Sequence, residues 1–544
     1  MKKGFTLIEL LAVITILALI LLIAVPIVLR VINDSKETVQ KDNIELYGRA
    51  VDRAIINYYV KHPEAEEDPD ITTMEKEGLI KYKGEPVKCD AAQIANRKVY
   101  LANCKVGDEK VETEYGEIGN TPYLANGYGK GLTPIAYINN KWTVVSNTNE
   151  DNEWYDYDKQ KWANAVVLRN GVKKQVGDTV TVEDDSETLM MLVWIPRFEY
   201  KIEGTYGKGG TDADNPGEIE VNLIDVNKKT ATEGYILHPA FNFDGTKSGF
   251  WVGKFELSSK SENQNSDNNL GCNATSCTSD ISKLRILPNV PSLRYNNVSN
   301  FFYAIRSIEN TQTFGLNNMD THMMKNSEWG AVAYLSQSKY GKYGNSDYDK
   351  QYREVYQNKS GNFITGSSNG TPSQNNYRSG GQCAYNDMTN LGEDSNGYKK
   401  GQCGPGASTT GNIYGVYDMS GGAWEYVMGV YGPEYPTIGS SGFGSTVFTG
   451  NTIESKYYDI YANSTNSITN DGKQACNNGI CYGHAMLETT SWYGDYTYIV
   501  TSNSPWFVRG GSDGNDSSAG AFSRCFNGGE SLSFDSARVV GFGK

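Results

Sequence analysis

Cysteine and histidine are the residue types best suited to covalent or metal chemistry, and the chain has nine cysteines and four histidines. The histidines lie too far apart for a metal-binding motif, at His62, His238, His322 and His484. Eight cysteines form four pairs that are close in sequence, which predicts four local disulfides in an oxidising compartment: Cys89 with Cys104, Cys272 with Cys277, Cys383 with Cys403, and Cys476 with Cys481. Zinc binding by the second or fourth pair is the alternative. Cys525 is left without a partner.

A carboxylate lies inside the long apolar segment near the N-terminus. The run from Phe5 to Leu29 contains one charged residue, Glu9, and follows the basic pair Lys2-Lys3. Twenty-five residues at about 1.5 Å each span roughly 37 Å of helix, which is enough to cross a bilayer. The basic pair predicts a cytoplasmic N-terminus. Because a lone carboxylate in a membrane is costly, Glu9 is expected to have a partner.

The N-terminal residues resemble the signal of type IV prepilins and pseudopilins, in the run Lys3-Gly4-Phe5-Thr6-Leu7-Ile8-Glu9-Leu10-Leu11-Ala12-Val13. The resemblance implies that a prepilin peptidase cuts after Gly4 and methylates Phe5. It also implies that Glu9 pairs with the N-terminal ammonium of a neighbouring subunit, so other pilin subunits are expected partners. The protein would then cross the membrane once before assembly and lie on a pilus or the cell surface afterwards. An ordinary signal anchor is the alternative.

The helix is predicted to continue beyond the membrane and to end at His62-Pro63. An apolar stripe at three- and four-residue spacing predicts that it packs on a small globular domain; the stripe is Ile44, Tyr47, Val51, Ile55 and Tyr58. Short strand-like runs follow, and Asn139-Asn140 and Asn170-Gly171 are typical of hairpin turns.

The composition limits the possible functions. With 544 residues, the chain is long enough for several domains, and 38% hydrophobic residues supply their cores. There are 50 Lys and Arg against 64 Asp and Glu, a net charge of −14. Because an acidic protein repels phosphate, no nucleic-acid partner is expected.

The last part of the chain resembles the formylglycine-generating-enzyme type of C-type-lectin-like fold. The resemblance rests on the order of several apolar motifs: Met191–Pro196, Gly249–Glu256, Met323–Leu335, Tyr414–Val427, Val508–Ser512 and Gly541-Phe542. Of these, the run 323–335 is predicted to be a helix. The sequence therefore predicts an α+β protein with a leader at 1–4, a transmembrane and filament helix at 5–62, a pilin-like headpiece at 63–120, a β-rich connector at 121–188 and a C-type-lectin-like domain at 189–544.

The chain departs from that family where catalysis would occur. The catalytic members bind copper with two cysteines, and Asn515 and Gly520 stand at the corresponding positions. We therefore expect no enzyme activity, no catalytic residue and no metal; a lectin-fold oxidase is a remaining alternative. The run Gly421–Tyr426 lacks the asparagine of the family's Gly-Asn-x-Trp-Glu-Trp pattern, which weakens the family's calcium site.

The stretch 513–538 is predicted to be a ligand-binding surface of loop and irregular strand, because 15 of its 26 residues are Gly, Ser, Asn or Asp. It resembles the hypervariable stretch of the variable proteins of diversity-generating retroelements. The resemblance implies adhesion to an unknown extracellular protein or glycan. A structural minor pseudopilin of a secretion or DNA-uptake apparatus is the alternative. The predicted contact residues are Asp513, Asn515, Asp516, Ser518, Ser523, Arg524, Cys525, Phe526, Asn527, Glu530, Ser533, Asp535 and Ser536.

Overall fold

The computed structural model describes residues 36, 38–62, 69–95, 98–107, 109–111, 122, 124, 131–147, 149, 152–226, 228–260, 269–369, 383–432, 439–444, 446–448, 450, 452–461 and 481–543. The predicted leader and transmembrane segment, with Gly4, Phe5 and Glu9, lie outside these residues, and so does Cys476. Within the described residues, no helix is both long and apolar enough to cross a membrane.

The chain divides into two compact units, unit 1 at Met1–Ile118 and unit 2 at Gly119–Lys544. Unit 1 contains a long helix, α1, described at 38–61, and a short helix, α2, at Ile71–Lys76. Its three antiparallel strands follow the chain order β1-β2-β3. Their bounds are Val87–Ala95 for β1, Lys98–Val106 for β2 and Glu109–Val111 for β3.

The apolar stripe of α1 forms the core of unit 1, which confirms the predicted amphipathic helix. Ile44, Val51 and Ile55 are fully buried, and they belong to one cluster with Met74 of α2 and Leu101 of β2. Helical structure ends at residue 61, as the prolyl residue at 63 predicts. The helix is therefore held to the small sheet by apolar packing.

Unit 2 is mainly antiparallel sheet with two helices, α3 at Val298–Arg306 and α4 at Asn326–Ser336. Its strands are β4 Leu132–Ile138, β5 Lys141–Val144, β6 Asn164–Leu168, β7 Thr188–Pro196, β8 Phe198–Lys201, β9 Glu220–Leu223, β10 Ile236–Leu237, β11 Gly249–Gly253, β12 Ser258–Ser259, β13 Leu284–Arg285, β14 Met319–Met323, β15 Trp424–Tyr431, β16 Asp459–Tyr461, β17 Trp506–Gly510, β18 Gly520–Asn527, β19 Asp535–Ala537 and β20 Val539–Gly543.

The largest sheet has seven strands in the order β14-β20-β11-β7-β6-β4-β5. It corrects the predicted boundary between a connector at 121–188 and a domain at 189–544, because strands from both segments pair in it. The boundary falls inside β7, and β6 of the predicted connector bonds directly to β7. Fully buried residues on both sides of the boundary, such as Val166 and Val193, share one core. The two segments therefore form one folding unit.

A five-stranded sheet carries the predicted ligand-binding stretch. Its order is β16-β15-β17-β18, and β19 pairs with β15. The strands β15 and β17 contain the predicted motifs around Trp424 and Arg509. Smaller sheets join β8 to β9 and β10, and β12 to β13.

Two local predictions can be compared with the backbone. Asn139 and Asn140 have φ angles of 50° and 60° and connect β4 to β5, which confirms the hairpin turn. The predicted helix at 323–335 begins later, at Asn326, because Met323 ends β14. The Glu328 side chain accepts a hydrogen bond from the backbone N of Lys325 at 2.8 Å, and this contact fixes the start of α4.

Candidate functional site

The stretch 513–538 contains two strands, which together cover 11 of its 26 residues, and the rest is turn and loop. It forms β18 and β19, with a turn before β18 and a connection between the two strands. β18 pairs with β17, and β19 pairs with β15. Small polar side chains can be buried here because strand pairing satisfies the backbone donors and acceptors of the stretch.

Four of the thirteen predicted contact residues are buried and do not lie on the surface. They are Ser523, Arg524, Asp535 and Ser536, each 0% exposed. The others are partly or well exposed: Asp513, Asn515, Asp516, Ser518, Cys525, Phe526, Asn527, Glu530 and Ser533. The accessible part of the stretch is therefore smaller than predicted.

Arg524 is one of the predicted contact residues, but its side chain lies in the core and not on the surface. Its Nη1 donates to the carbonyl of Met486 at 3.1 Å, inside the core. Arg509 of the neighbouring strand likewise donates to the carbonyl of Ala485 at 3.0 Å. Burial lowers the pKa of Arg509 to about 9 and that of Arg524 to about 10. Both arginines hold the loop 484–486 beneath the sheet.

Four aromatic side chains form a continuous row beside the exposed end of β18. Trp424 stacks on Tyr496 with ring centroids 6.2 Å apart, and Tyr496 lies 5.5 Å from Tyr498. Tyr498 then meets Phe526 edge to face at 5.7 Å. We call this row the aromatic ladder. Tyr498 is 51% exposed and Phe526 is 40% exposed, so the outer half of the ladder faces solvent.

Backbone pairing holds the ladder in place. The segment 496–498 runs parallel to β18, with Thr497 opposite Arg524. The backbone N of Arg524 donates to the carbonyl of Tyr496 at 2.9 Å, and that of Tyr498 donates to the carbonyl of Arg524 at 3.1 Å. Exposed aromatic rings are thereby fixed on a sheet, which lowers the entropy lost when they contact a ligand.

Three of the accessible residues in the stretch 513–538 are acidic. Asp516 is exposed and lies 2.6 Å from the Nζ of Lys359, while Glu530 is partly exposed. Asp513 is partly buried, and burial raises the pKa of its carboxyl. The predicted contact residues that remain accessible thus combine an aromatic ring with carboxylates.

Asp535 is a buried acid in register with the ladder. It lies opposite Trp424 in the parallel pair of β15 and β19. Asn527 Nδ2 donates to Asp535 Oδ2 at 2.8 Å, whereas Oδ1 has no hydrogen-bond partner among the described residues. Burial raises the pKa of the Asp535 carboxyl to about 8, so the group is mostly protonated at neutral pH.

This raised pKa predicts how stability depends on pH. A carboxyl with a higher pKa in the folded state stabilises below its unfolded pKa of about 4, and that contribution is lost as pH rises through the folded pKa. We expect Asp535→Asn to reduce the loss of thermal stability between about pH 4 and pH 8. Thermal unfolding at a series of pH values measures this. Parallel wild-type and Asp535→Asn curves would contradict the prediction.

The cysteines follow the predicted local pairing within the described residues. Disulfides join Cys89 to Cys104, Cys272 to Cys277 and Cys383 to Cys403. Cys481 is also disulfide-bonded, and its predicted partner lies outside the described residues. Cys525 is free and partly buried, and burial raises the pKa of its thiol. A thiol with a raised pKa is a weak nucleophile at neutral pH.

The positions that would bind metal in the resembling family have other contacts here. Asn515 Oδ1 accepts a hydrogen bond from the hydroxyl of Ser512 at 2.8 Å, which closes a local turn. Glu425 binds the guanidinium of Arg538. Among the described residues, the one group of three suitable ligand atoms that lie close together is Cys383, Asp387 and Cys403, and its two sulfurs form a disulfide.

Three members of the aromatic ladder were missed from the sequence: Trp424, Tyr496 and Tyr498. They lie outside 513–538, and only the structure brings them beside Phe526. The alternation Tyr496-Thr497-Tyr498 was the available signal, because it is typical of a strand with both rings on one face.

One family model matches the N-terminal end of the chain. Residues 1–25 match the prokaryotic N-terminal methylation motif. This motif implies a type IV pilin-like protein that is anchored in the membrane and then exposed at the surface.

Among solved structures, the chain is similar to the Major Tropism Determinant I1 variant, with 11% identity, 84% of this chain and 81% of that chain covered, and a TM-score of 0.24. For the P3c variant of the same protein, the identity is 11%, the coverage is 84% of both chains, and the TM-score is 0.22. TM-scores this low do not assign a fold. No curated protein matches the chain.

Proposed function

We propose that the chain is a minor or tip subunit of a type IV pilin-like filament that presents unit 2 outside the cell to bind a ligand. The observation that carries the proposal is the methylation motif at residues 1–25. A prepilin peptidase would cut after Gly4, and the helix starting at Phe5 would pack with other subunits through Glu9. A unit of more than 400 residues (119–544) would crowd a filament that carried it at every position, which favours a minor or tip subunit.

The proposed ligand-binding face consists of the aromatic ladder and the accessible residues of 513–538. Its support is the exposure of Tyr498 and Phe526 on a paired sheet, since exposed aromatic rings are frequent anchors of binding sites. The role proposed for unit 2 is adhesion without catalysis. Asn515 and Gly520 at the two copper positions favour it, and so does Cys525 as the one free thiol within the part of the chain that the structure describes.

We further propose that the stretch is hypervariable, with its ends fixed by β17 and β20. Arg509 and Arg538, one at each end, are fully buried and would keep the scaffold constant while accessible positions change. The genome tests this directly. A near-copy of the coding sequence for Val508–Phe542 should lie beside a reverse-transcriptase gene, and its absence would contradict hypervariability.

Binding itself can be tested with the full-length chain in detergent micelles on protein and glycan arrays. We expect at least one extracellular ligand whose signal is lost when Tyr498 and Phe526 are both replaced by alanine. A subunit that only builds a secretion or DNA-uptake apparatus would bind nothing on either array, and that result would contradict the proposal.

A further inference from the structure

The accessible charge on the proposed face has one sign. Residues 495–538 are all described, and they contain three arginines and no lysine or histidine. All three arginines are 0% exposed; they are Arg509, Arg524 and Arg538. The accessible charged side chains of this region are therefore Asp513, Asp516 and Glu530. The face offers carboxylates and no accessible cation of its own.

The neighbouring cations reduce this negative charge only in part. Lys359 pairs with Asp516, whose side chain remains 57% exposed, and Arg294 lies near Asp513. Arg294 is itself buried against the ring of Phe363, with its guanidinium carbon 4.0 Å from the ring centroid. Glu530 has no ion pair within the part of the chain that the structure describes. The surplus of carboxylate charge is thus greatest on the Glu530 side of the stretch.

The aromatic ladder supplies a second feature that attracts cations. Ring faces of Tyr, Trp and Phe carry partial negative charge and bind ammonium and guanidinium groups. Tyr498 and Phe526 meet edge to face, and they are 51% and 40% exposed, so part of each ring is accessible to an approaching cation.

Asp535 supplies an independent indication of a missing partner. It is 0% exposed, and its Oδ1 accepts no hydrogen bond from any described residue. Residues opposite each other in neighbouring strands point to the same face of a sheet, so Asp535 is on the side of Trp424. Buried oxygens are rarely left without a donor, so Oδ1 is open to a donor outside the described residues.

We propose that this face binds the ammonium and guanidinium groups of a lysine- or arginine-rich segment of a partner protein. The proposal rests on the proposed function, in which the face is displayed outside the cell. Carboxylates and exposed aromatic rings both attract such groups. Acidic polysaccharides, nucleic acids and anionic lipids are disfavoured, because the chain has a net charge of −14 and Lys359, a cation that touches the face, is paired with Asp516.

The experiment measures binding of oligolysine and oligoarginine peptides to the full-length chain in detergent, with oligoglutamine and oligoglutamate of the same length as comparisons. We expect binding of the two basic peptides, weakened by salt, and no binding of the others. Tyr498→Ala and Phe526→Ala should each weaken oligolysine binding about tenfold, since a cation–π contact of about 1.4 kcal/mol is lost. Glu530→Gln should weaken it as well.

Matched controls separate this face from general attraction to an acidic protein. Tyr398 is 45% exposed and lies outside the face, so Tyr398→Ala should bind oligolysine like the wild type. Equal effects of Tyr398→Ala and Tyr498→Ala, or equally tight binding of oligoglutamine, would overturn the inference. If the Tyr498 and Phe526 variants lose an array ligand but keep oligolysine binding, the cationic partner is wrong and the proposed function stands. If they lose neither, both are wrong.

Discussion

Arg538→Met is expected to destabilise unit 2 by about 3–5 kcal/mol, because it leaves buried carboxylates without their cation. Arg538 Nε donates to Glu425 Oε2 at 2.9 Å, and Nη1 donates to the carbonyl of Gly253 at 2.8 Å. Both members of the ion pair are 0% exposed. Glu256 and Asp418 lie nearby, and burial raises the pKa of each. Chemical denaturation of the full-length chain in detergent measures the loss.

Two further variants identify the cause of that loss. Burial raises the pKa of Glu425 to about 7, so losing Arg538 should cost most above this pH and less in acid. Glu425→Gln combined with Arg538→Met should recover part of the stability, because the unpaired charge is gone. Lys208→Met, which removes an exposed partner of Glu220, should leave the transition unchanged. A similar small effect for Arg538→Met and Lys208→Met would contradict a stabilising role for the ion pair.

Replacing Gly4 with leucine is expected to keep the leader attached and to remove the protein from the cell surface. The proposed cleavage site follows Gly4 inside the matched motif, and leucine adds a branched side chain where the proposed site has none. Without cleavage, the chain keeps its basic N-terminus, and Glu9 has no methylated N-terminal ammonium to pair with. Surface labelling of intact cells and the mass of the protein measure the two effects.

Gly4→Ala is the matched control, because alanine adds one methyl group and should still be processed. If Gly4→Leu is processed and displayed like the wild type, the assignment of the cleavage site is wrong.

Features that depend on neighbouring residues could be predicted from the sequence. The stripe from Ile44 to Ile55 needs only helical periodicity, and Asn139-Asn140 forms its turn from local backbone preferences. The three described disulfides likewise join cysteines separated by 5, 15 and 20 residues. The start of helix α3 also depends on neighbouring residues. The side chain of Asn297 caps this helix by accepting a hydrogen bond from Asn300 N at 3.0 Å.

Features that depend on long-range strand pairing could not be predicted from the sequence. Composition predicted surface loop and irregular strand at 513–538, but it does not show that β18 and β19 take their partners from β17 and β15. The same pairing buries Arg524 and Asp535, which the sequence alone cannot distinguish from exposed neighbours. The aromatic ladder joins residues 424, 496, 498 and 526, and the seven-stranded sheet joins 132 to 543 across a predicted boundary. Sheet register decides each of these contacts.

N-terminal sequencing of the mature protein, recovered from the cell surface, tests the central claim most directly. A pilin-like subunit that displays unit 2 should begin at methylated Phe5, with the first four residues removed. An intact Met1 on the surface protein would contradict processing and assembly.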